Sequence, residues 1–258
     1  FESRLDLRLG TAPFSNSTGI ERVKGSAFND VLRGNELANR LYGYGGLDRI
    51  EGRAGNDYLS GGYGSDVYEF KGMQLGTDAI VEYSYTGSDD VLDFSQFGGS
   101  VHVDINNYAA QTVNAGDLVI DLTSRWGINH VTGSQYADEI FGNSYGNWLY
   151  GLGGDDTLSG GAGNDSLRGG DGDDNLYGNE GVDRLFGDSD DDFLDGGYDG
   201  DKDLLYGGQG DDTFVQEYVY GLVKSRFYSY YGWIPISNED TRMDFESAHD
   251  SVFKRYHW

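Results

Sequence analysis

The feature that most constrains this chain is a nine-residue repeat. Each unit begins with glycine, carries Asp or Asn at its sixth position in most copies and has a bulky apolar residue at its eighth, as in GGAGNDSLR from Gly160. A unit this short cannot bury its own apolar face, so it must stack on further copies of itself. The fourteen units begin at Gly25, Gly34, Gly43, Gly52, Gly61, Gly133, Gly142, Gly151, Gly160, Gly169, Gly178, Gly187, Gly196 and Gly207.

Each unit divides into a six-residue turn rich in Gly and Asp and a three-residue strand. Side chains alternate between the two faces of a strand, so the eighth position points inward while its neighbours point outward. Two units then make one coil with two strands, and stacked coils form parallel sheets. The predicted inward ladder is Leu32, Leu41, Ile50, Leu59, Tyr68, Ile140, Leu149, Leu158, Leu167, Leu176, Leu185, Leu194, Leu205 and Phe214.

The composition of the turns predicts binding of a hard divalent cation. Glycine admits positive φ and lets backbone carbonyls converge, and calcium prefers six to eight oxygen ligands from carboxylates and carbonyls. Each turn offers one carboxylate and several carbonyls to the turn one coil later. The predicted carboxylate ligands are Asp30, Asp48, Asp57, Asp66, Asp138, Asp156, Asp165, Asp174, Asp183, Asp192, Asp203 and Asp212.

Partner aspartates should be eighteen residues apart, as in Asp48 with Asp66, or twenty apart across a two-residue insertion, as in Asp183 with Asp203. Without a cation these ladders would set like charges side by side, so we expect folding to depend on calcium. The glycines expected to contribute backbone carbonyls are Gly62, Gly64, Gly161, Gly163, Gly170, Gly172, Gly208 and Gly210.

The charge of the chain agrees with cation binding. There are 44 Asp and Glu against 18 Lys and Arg, a net charge of −26, with 42 Gly and no Cys. This balance argues against a nucleic-acid ligand, and the absence of Cys excludes disulfides and thiolate metal sites. About ten bound Ca²⁺ ions would leave a net charge of about −6. No apolar run approaches the length of a membrane span, and we expect a segment of a longer or processed protein.

The repeats resemble the RTX family, the glycine- and aspartate-rich nonapeptides of secreted bacterial proteins. The full pattern GGxGxD is present in Gly61–Asp66, Gly160–Asp165, Gly169–Asp174 and Gly207–Asp212, and the resemblance covers about half the chain. It implies an all-β fold, a right-handed parallel β-roll or β-solenoid in two calcium-binding arrays with β-rich connecting and capping segments. It also implies an extracellular or cell-surface location.

Some units depart from the pattern. The second unit of each array has Asn at the aspartate position, Asn39 and Asn147, so we expect weak or empty sites there. The unit from Gly196 contains an insertion that places Asp199 and Asp201 two residues apart ahead of Asp203. Either an additional weak cation site or a solvated acidic bulge would explain that spacing.

The two arrays are copies of each other at an offset of 108 residues, which superimposes Gly25 on Gly133. We predict a lead-in strand region over 1–24, a first array over 25–69 and a second array over 133–215. A connecting segment over 70–132 should continue the sheets with longer turns or cover one face. An aromatic-rich cap is predicted over 216–258.

We identify no catalytic residue and expect a module that is not an enzyme. The leading hypothesis is a calcium-binding structural component of an extracellular matrix, surface layer, fibril or adhesin, able to associate with further copies of itself. One alternative is a non-catalytic secretion and folding module of a larger secreted protease, lipase or epimerase. Another is a polysaccharide-binding surface on 70–126 or 216–258, where strands and aromatic residues are dense.

Overall fold

The structure, a computed structural model, describes residues 6–8, 22–82, 89–123, 127–217, 242–244 and 251–255. Within these ranges the fold is all-β, as predicted, and every regular element is a strand. The chain divides into two compact units, Phe1–Ser134 and Gln135–Trp258. The aromatic stretch at 218–233, which belongs to the predicted cap, lies outside the described residues.

In the first unit, alternate strands enter two different sheets. One sheet has the order β1-β3-β5-β7-β9-β13 and the other has the order β2-β4-β6-β8-β12-β11. The strands are β1 (Asp6–Arg8), β2 (Arg22–Lys24), β3 (Val31–Arg33), β4 (Arg40–Gly45), β5 (Arg49–Glu51), β6 (Tyr58–Tyr63), β7 (Val67–Gly72), β8 (Gly76–Ile80), β9 (Asp90–Phe97), β10 (His102–Asp104), β11 (Gln111–Asn114), β12 (Leu118–Leu122) and β13 (Ile128–Thr132).

The segment after the first array extends both sheets of this unit. Strand β9 pairs in parallel with β7, and β8 pairs in parallel with β6. The connecting segment departs from the parallel arrangement at one edge, where β11 runs antiparallel to β12. The reason is a short turn in which Gly116 has a φ of +90° and the Asp117 amide donates to the Asn114 carbonyl, which reverses the chain.

The second unit repeats the alternation. Its sheets have the orders β15-β17-β19-β21-β23 and β14-β16-β18-β20-β22-β24, and each successive pair given a register is parallel. The strands are β14 (Glu139–Phe141), β15 (Trp148–Gly153), β16 (Thr157–Ala162), β17 (Ser166–Asp171), β18 (Asn175–Glu180), β19 (Arg184–Ser189), β20 (Phe193–Asp195), β21 (Leu204–Gln209), β22 (Thr213–Glu217), β23 (Arg242–Asp244) and β24 (Ser251–Arg255).

The core is the ladder of eighth-position residues. Strand register stacks Leu149 on Leu167 and Leu167 on Leu185, so one coil is eighteen residues long, and the pairing of Leu185 with Leu205 absorbs the insertion. All fourteen predicted ladder residues are buried, with at most 1% of the surface of any one exposed. The predicted parallel β-solenoid with two strands per coil is therefore confirmed.

Most turns from the third unit of each array onward have positive φ at their second and fourth positions. In the unit from Gly61 those positions are Gly62 and Gly64, with φ values of +104° and +122°. A Cβ on Gly64 would overlap the carbonyl oxygen of Gly46 in the preceding coil. The close stacking of successive turns is thus the reason that this position excludes a side chain.

We expect Gly64→Ala to lower the free energy of unfolding by about 3 kcal/mol, because backbone strain adds to steric overlap. Gly200→Ala is the matched control, since Gly200 also has positive φ, at +87°, but no atom lies within 4 Å of an added Cβ. It should cost only about 1 kcal/mol. Denaturant unfolding in calcium measures both, and equal losses would contradict the role given to coil stacking.

Candidate metal centre

The predicted aspartates are buried and join each coil to the next. The Asp48 amide donates to Asp66 Oδ1 at 2.7 Å, and the Asp165 amide donates to Asp183 Oδ1 at 2.8 Å. The same bond spans the insertion, where the Asp183 amide donates to Asp203 Oδ1 at 2.8 Å. The structure therefore brings together the aspartates predicted to be partners. Those buried are Asp30, Asp48, Asp57, Asp66, Asp138, Asp156, Asp165, Asp174, Asp183, Asp192, Asp203 and Asp212.

The second carboxylate oxygen of many of these aspartates is buried and has no hydrogen-bond partner. Such an oxygen is costly, because burial removes its hydration and nothing in the protein replaces it. A series of them at one position of the repeat indicates a missing ligand more strongly than a single case would. The oxygens are Oδ2 of Asp48, Asp57, Asp66, Asp156, Asp165, Asp174, Asp183 and Asp192.

Backbone carbonyls converge on the same oxygens. A Cβ placed on Gly43 would meet both Asp48 Oδ2 and the carbonyl oxygen of Gly61, which belongs to the next coil. In the second unit, Gly160 stands in the same relation to Asp165 Oδ2 and the Gly178 carbonyl. The first glycine of a repeat is thus needed because two oxygens occupy the space that its side chain would fill.

The glycines predicted to supply carbonyls lie at the second and fourth turn positions. Each stacks against backbone atoms of the preceding coil, as Gly170 does on the Leu152 carbonyl. Leu152 itself has a φ of +86° at the second position, so non-glycine residues also adopt this conformation. The residues placed in this way are Gly62, Gly64, Gly161, Gly163, Gly170, Gly172, Gly208 and Gly210.

Burial raises the pKa of the stacked aspartates. The pKa rises to about 6 for Asp66, about 7 for Asp165 and about 8 for Asp156. Desolvation is the largest cause in each case, and the amide bond from the preceding coil opposes it. These carboxyl groups therefore need either a proton or a cation at neutral pH.

The opening turns are closed by their own side chains. Asp30 Oδ2 accepts from the Ser26 hydroxyl at 3.0 Å, and Asn39 Oδ1 accepts from the Asn35 amide at 2.8 Å. Asn147 Oδ1 likewise accepts from the Asn143 amide at 2.8 Å. In these turns the backbone amide of the second residue donates to the side chain of the sixth residue and occupies the oxygen that is left without a partner in the later turns.

The inserted acidic residues are exposed and do not join the buried ladder. Asp199 accepts a hydrogen bond from the Gly181 amide through Oδ2 and one from the Asp201 amide at 2.8 Å through Oδ1. Asp203, by contrast, is buried and takes the ladder position. Asp203 is therefore buried, whereas the two inserted acidic residues before it are exposed to solvent.

Three acidic residues in the segment after the first array are not predicted by the repeat pattern. The Asp57 amide donates to Asp78 at 3.0 Å and the Asp66 amide to Asp90 at 2.8 Å, so Asp78 and Asp90 extend the two ladders. Each precedes a buried aliphatic residue by two positions, as the aspartate of a repeat does. That spacing could have been used to predict both aspartates. Glu82 lies beside Asp66 and Asp90, and no repeat position predicts it.

The donor set suits calcium. Paired coils supply carboxylate and carbonyl oxygens and no nitrogen or sulfur ligand, which is the set that hard divalent cations prefer. The family model that describes four copies of the RTX calcium-binding nonapeptide repeat matches this chain in five places. The matches cover residues 15–46, 33–68, 132–167, 168–201 and 199–215, over half of the chain. The chain belongs to this RTX family. The family's nonapeptide repeats bind Ca²⁺. A comparison with curated proteins finds no match.

The RTX strands and turns account for most of the second unit within the described ranges, and strands outside the repeats extend the sheets. No helix there is long and apolar enough to cross a membrane. Within these ranges, the buried carboxylates that could bind a ligand form ladders between successive RTX coils.

We expect calcium-free RTX protein to lose stability as the pH rises from about 5 to about 8. Raised pKa values mean that the folded state binds more protons than the unfolded chain, whose aspartates titrate near 4. The stabilisation is therefore complete below about 4 and is lost as pH passes the folded values of about 6 to 8. Saturating calcium should reverse the trend, because it competes with protons for these carboxylates.

Denaturant unfolding followed by circular dichroism, in EDTA and in calcium at the two pH values, tests this expectation. A calcium-free protein that becomes more stable with rising pH across the window would contradict it.

Proposed function

We propose that this protein is an extracellular structural module whose folding, and whose association with further copies of itself, is driven by calcium. The observation that carries the proposal is the series of buried aspartate oxygens without partners, several of which lie beside a glycine carbonyl of the next coil. About ten Ca²⁺ ions between coils would satisfy these oxygens and neutralise much of the charge of −26.

In this proposal the aspartates and glycines named above hold the ions, with the exposed Asp199 and Asp201 as weaker candidates. Asp48 and Asp66 illustrate the arrangement, because one oxygen of Asp66 fixes the coil spacing through the Asp48 amide. The other oxygen of Asp66 remains for the cation. A bound ion would thus stabilise the contact between coils as well as each turn.

An extracellular location follows from calcium supply. RTX repeats are typical of secreted bacterial proteins. Millimolar calcium outside the cell would fill sites that remain empty at the low calcium concentration of the cytosol. The same dependence would keep the chain expanded during export and fold it afterwards.

The first alternative is a folding and secretion module attached to a larger secreted enzyme. An RTX β-roll is typically a non-catalytic structural module, which agrees with either role. The two roles differ in self-association. A structural component of a matrix or fibril assembles with other copies, whereas an appendage folds around calcium and stays monomeric.

A second candidate function, binding of an acidic polysaccharide, is favoured by a groove on the outer face of β2, β4 and β6. The groove has a volume of about 540 Å³. The Arg22 guanidinium lies 5.7 Å from the centre of the Tyr42 ring, and the Lys24 ammonium lies 5.5 Å from that of Tyr44. Tyr63 at its edge is 74% exposed. Cations beside exposed aromatic rings suit uronate sugars.

Calcium added to EDTA-treated protein at about pH 8, where the protonated form no longer stabilises the fold, should convert a largely unfolded chain into β-structure and then into larger particles. Circular dichroism measures the first step and light scattering the second, with magnesium as the control because it binds flexible oxygen sites poorly. The absence of any structural gain in calcium would overturn calcium-driven folding. Folding without growth in particle size would favour the appendage over the structural component.

For the groove, we expect Tyr63→Ala to weaken binding of polygalacturonate by about fivefold, the effect of losing about 1 kcal/mol of ring contact. Tyr136→Ala is the control, since Tyr136 is also exposed but lies in the second unit. Affinity electrophoresis in calcium, with neutral dextran alongside, measures both. Equal behaviour of the two variants would exclude the groove as the binding surface.

A further inference from the structure

Glu82 occupies a place that a glycine holds in the repeats. Strand pairing sets Leu59 beside Ile80, so two residues later Gly61 is opposite Glu82, and the Gly61 amide donates to Glu82 Oε1 at 3.3 Å. Gly61 is the first residue of its repeat, the position at which aspartate and carbonyl oxygens fill the space of a side chain. At Glu82 a carboxylate enters this space.

The carboxylate of Glu82 meets two aspartates there. One oxygen from each of Asp66, Glu82 and Asp90 lies within 4.8 Å of those of the other two, and all three residues are buried. Glu82 is only 5% exposed, and Asp66 is fully buried. Three acidic side chains share a small volume in which water cannot separate their charges.

Tyr68 fixes the direction of the Glu82 carboxylate. Its hydroxyl donates to Glu82 Oε1 and accepts from the Gly61 amide at 2.7 Å. Tyr68 is the one residue with a polar group among the fourteen ladder positions, where the others are Leu, Ile or Phe. The hydroxyl at this position therefore supplies a hydrogen-bond donor to the carboxylate opposite it.

Two oxygens of the cluster are left for a ligand. Glu82 Oε2 and Asp66 Oδ2 are buried and have no hydrogen-bond partner. Burial, followed by repulsion from Asp90 and Asp66, raises the pKa of Glu82 to about 9. Three buried carboxylates this close together repel one another, and a cation among them would offset that repulsion.

We propose that Asp66, Glu82 and Asp90 bind a calcium ion at a composite site in which a glutamate side chain takes the place of a repeat glycine. The proposal rests on the calcium-binding function proposed above. Three carboxylates with no nitrogen or sulfur donor select a hard cation, and a long glutamate side chain suits the larger, more flexible shell of calcium over magnesium. The site joins the end of the first array to the segment that follows it.

This composite site gives Tyr68 a positioning role. By holding Oε1, it turns Oε2 towards the two aspartates, as outer-shell partners do for metal-ligating carboxylates. Asp66 directly precedes β7 and Asp90 is the first residue of β9, and these two strands are paired in parallel register. An ion here therefore ties together two coils that are linked by a non-repeat segment.

The test compares Glu82→Gln with Glu36→Gln, whose parent side chain is exposed on an opening turn. Titration calorimetry of the full chain with calcium should show one fewer bound ion for Glu82→Gln and no change for Glu36→Gln. Thermal melts in calcium should show a lower melting temperature for Glu82→Gln, because a ligand is lost, and no change for Glu36→Gln.

Asp165→Asn removes a proposed ligand within the repeats, so it tests calcium binding by the repeats separately from calcium binding at the composite site. If Asp165→Asn loses calcium and Glu82→Gln binds as many ions as the parent with equal affinity, the composite site is refuted and calcium-driven folding stands. If the parent binds no calcium, both proposals fail. Tyr68→Phe should keep the ion but weaken its affinity about tenfold, the loss typical of an outer-shell partner, and an unchanged affinity would refute the positioning role.

Discussion

The fold depends on the contact between an aspartate of one coil and the backbone of the coil before it. One carboxylate oxygen accepts an amide hydrogen bond across the coils, which fixes their spacing, while the other is buried beside a glycine carbonyl. Because that second oxygen is buried and has no protein donor, the stack of coils requires a proton or a cation between its turns. Stability, net charge and ligand are thus set by the same contact.

The conformation of the turns follows from this contact. Close stacking forces the second and fourth turn positions into the left-handed region, and the second accepts Tyr44, Arg53 and Leu152 there as well as glycine. The first position is stricter, because oxygens fill the space of its side chain. Where the second residue is Ser26 or Asn35, its backbone amide donates to the side chain of the sixth residue, and this bond closes the first turns of the array.

Much of the solenoid could be predicted, because a period of nine determines both which residue points inward and which aspartates stack. The ladder through Leu149 and Leu167 and the pairing of Asp165 with Asp183 follow from counting. The antiparallel strand β11 could not be predicted in this way, since a single turn at Gly116 reverses it. Asp78 and Asp90 could be predicted only in part. Each precedes an aliphatic residue by two positions, as in a repeat, but its distance from the preceding aspartate of the ladder is not eighteen residues.

The amino-acid sequence by itself determined the length of the coil, the apolar ladder and the chemistry of the turns, because these properties recur at a constant interval along the chain. The tertiary structure decided which oxygens remain buried without partners, and it brought Glu82 to Asp66 and Asp90. That meeting depends on the path of a segment outside the repeat. No local pattern encodes it, because its residues come together only when the strands on either side pair.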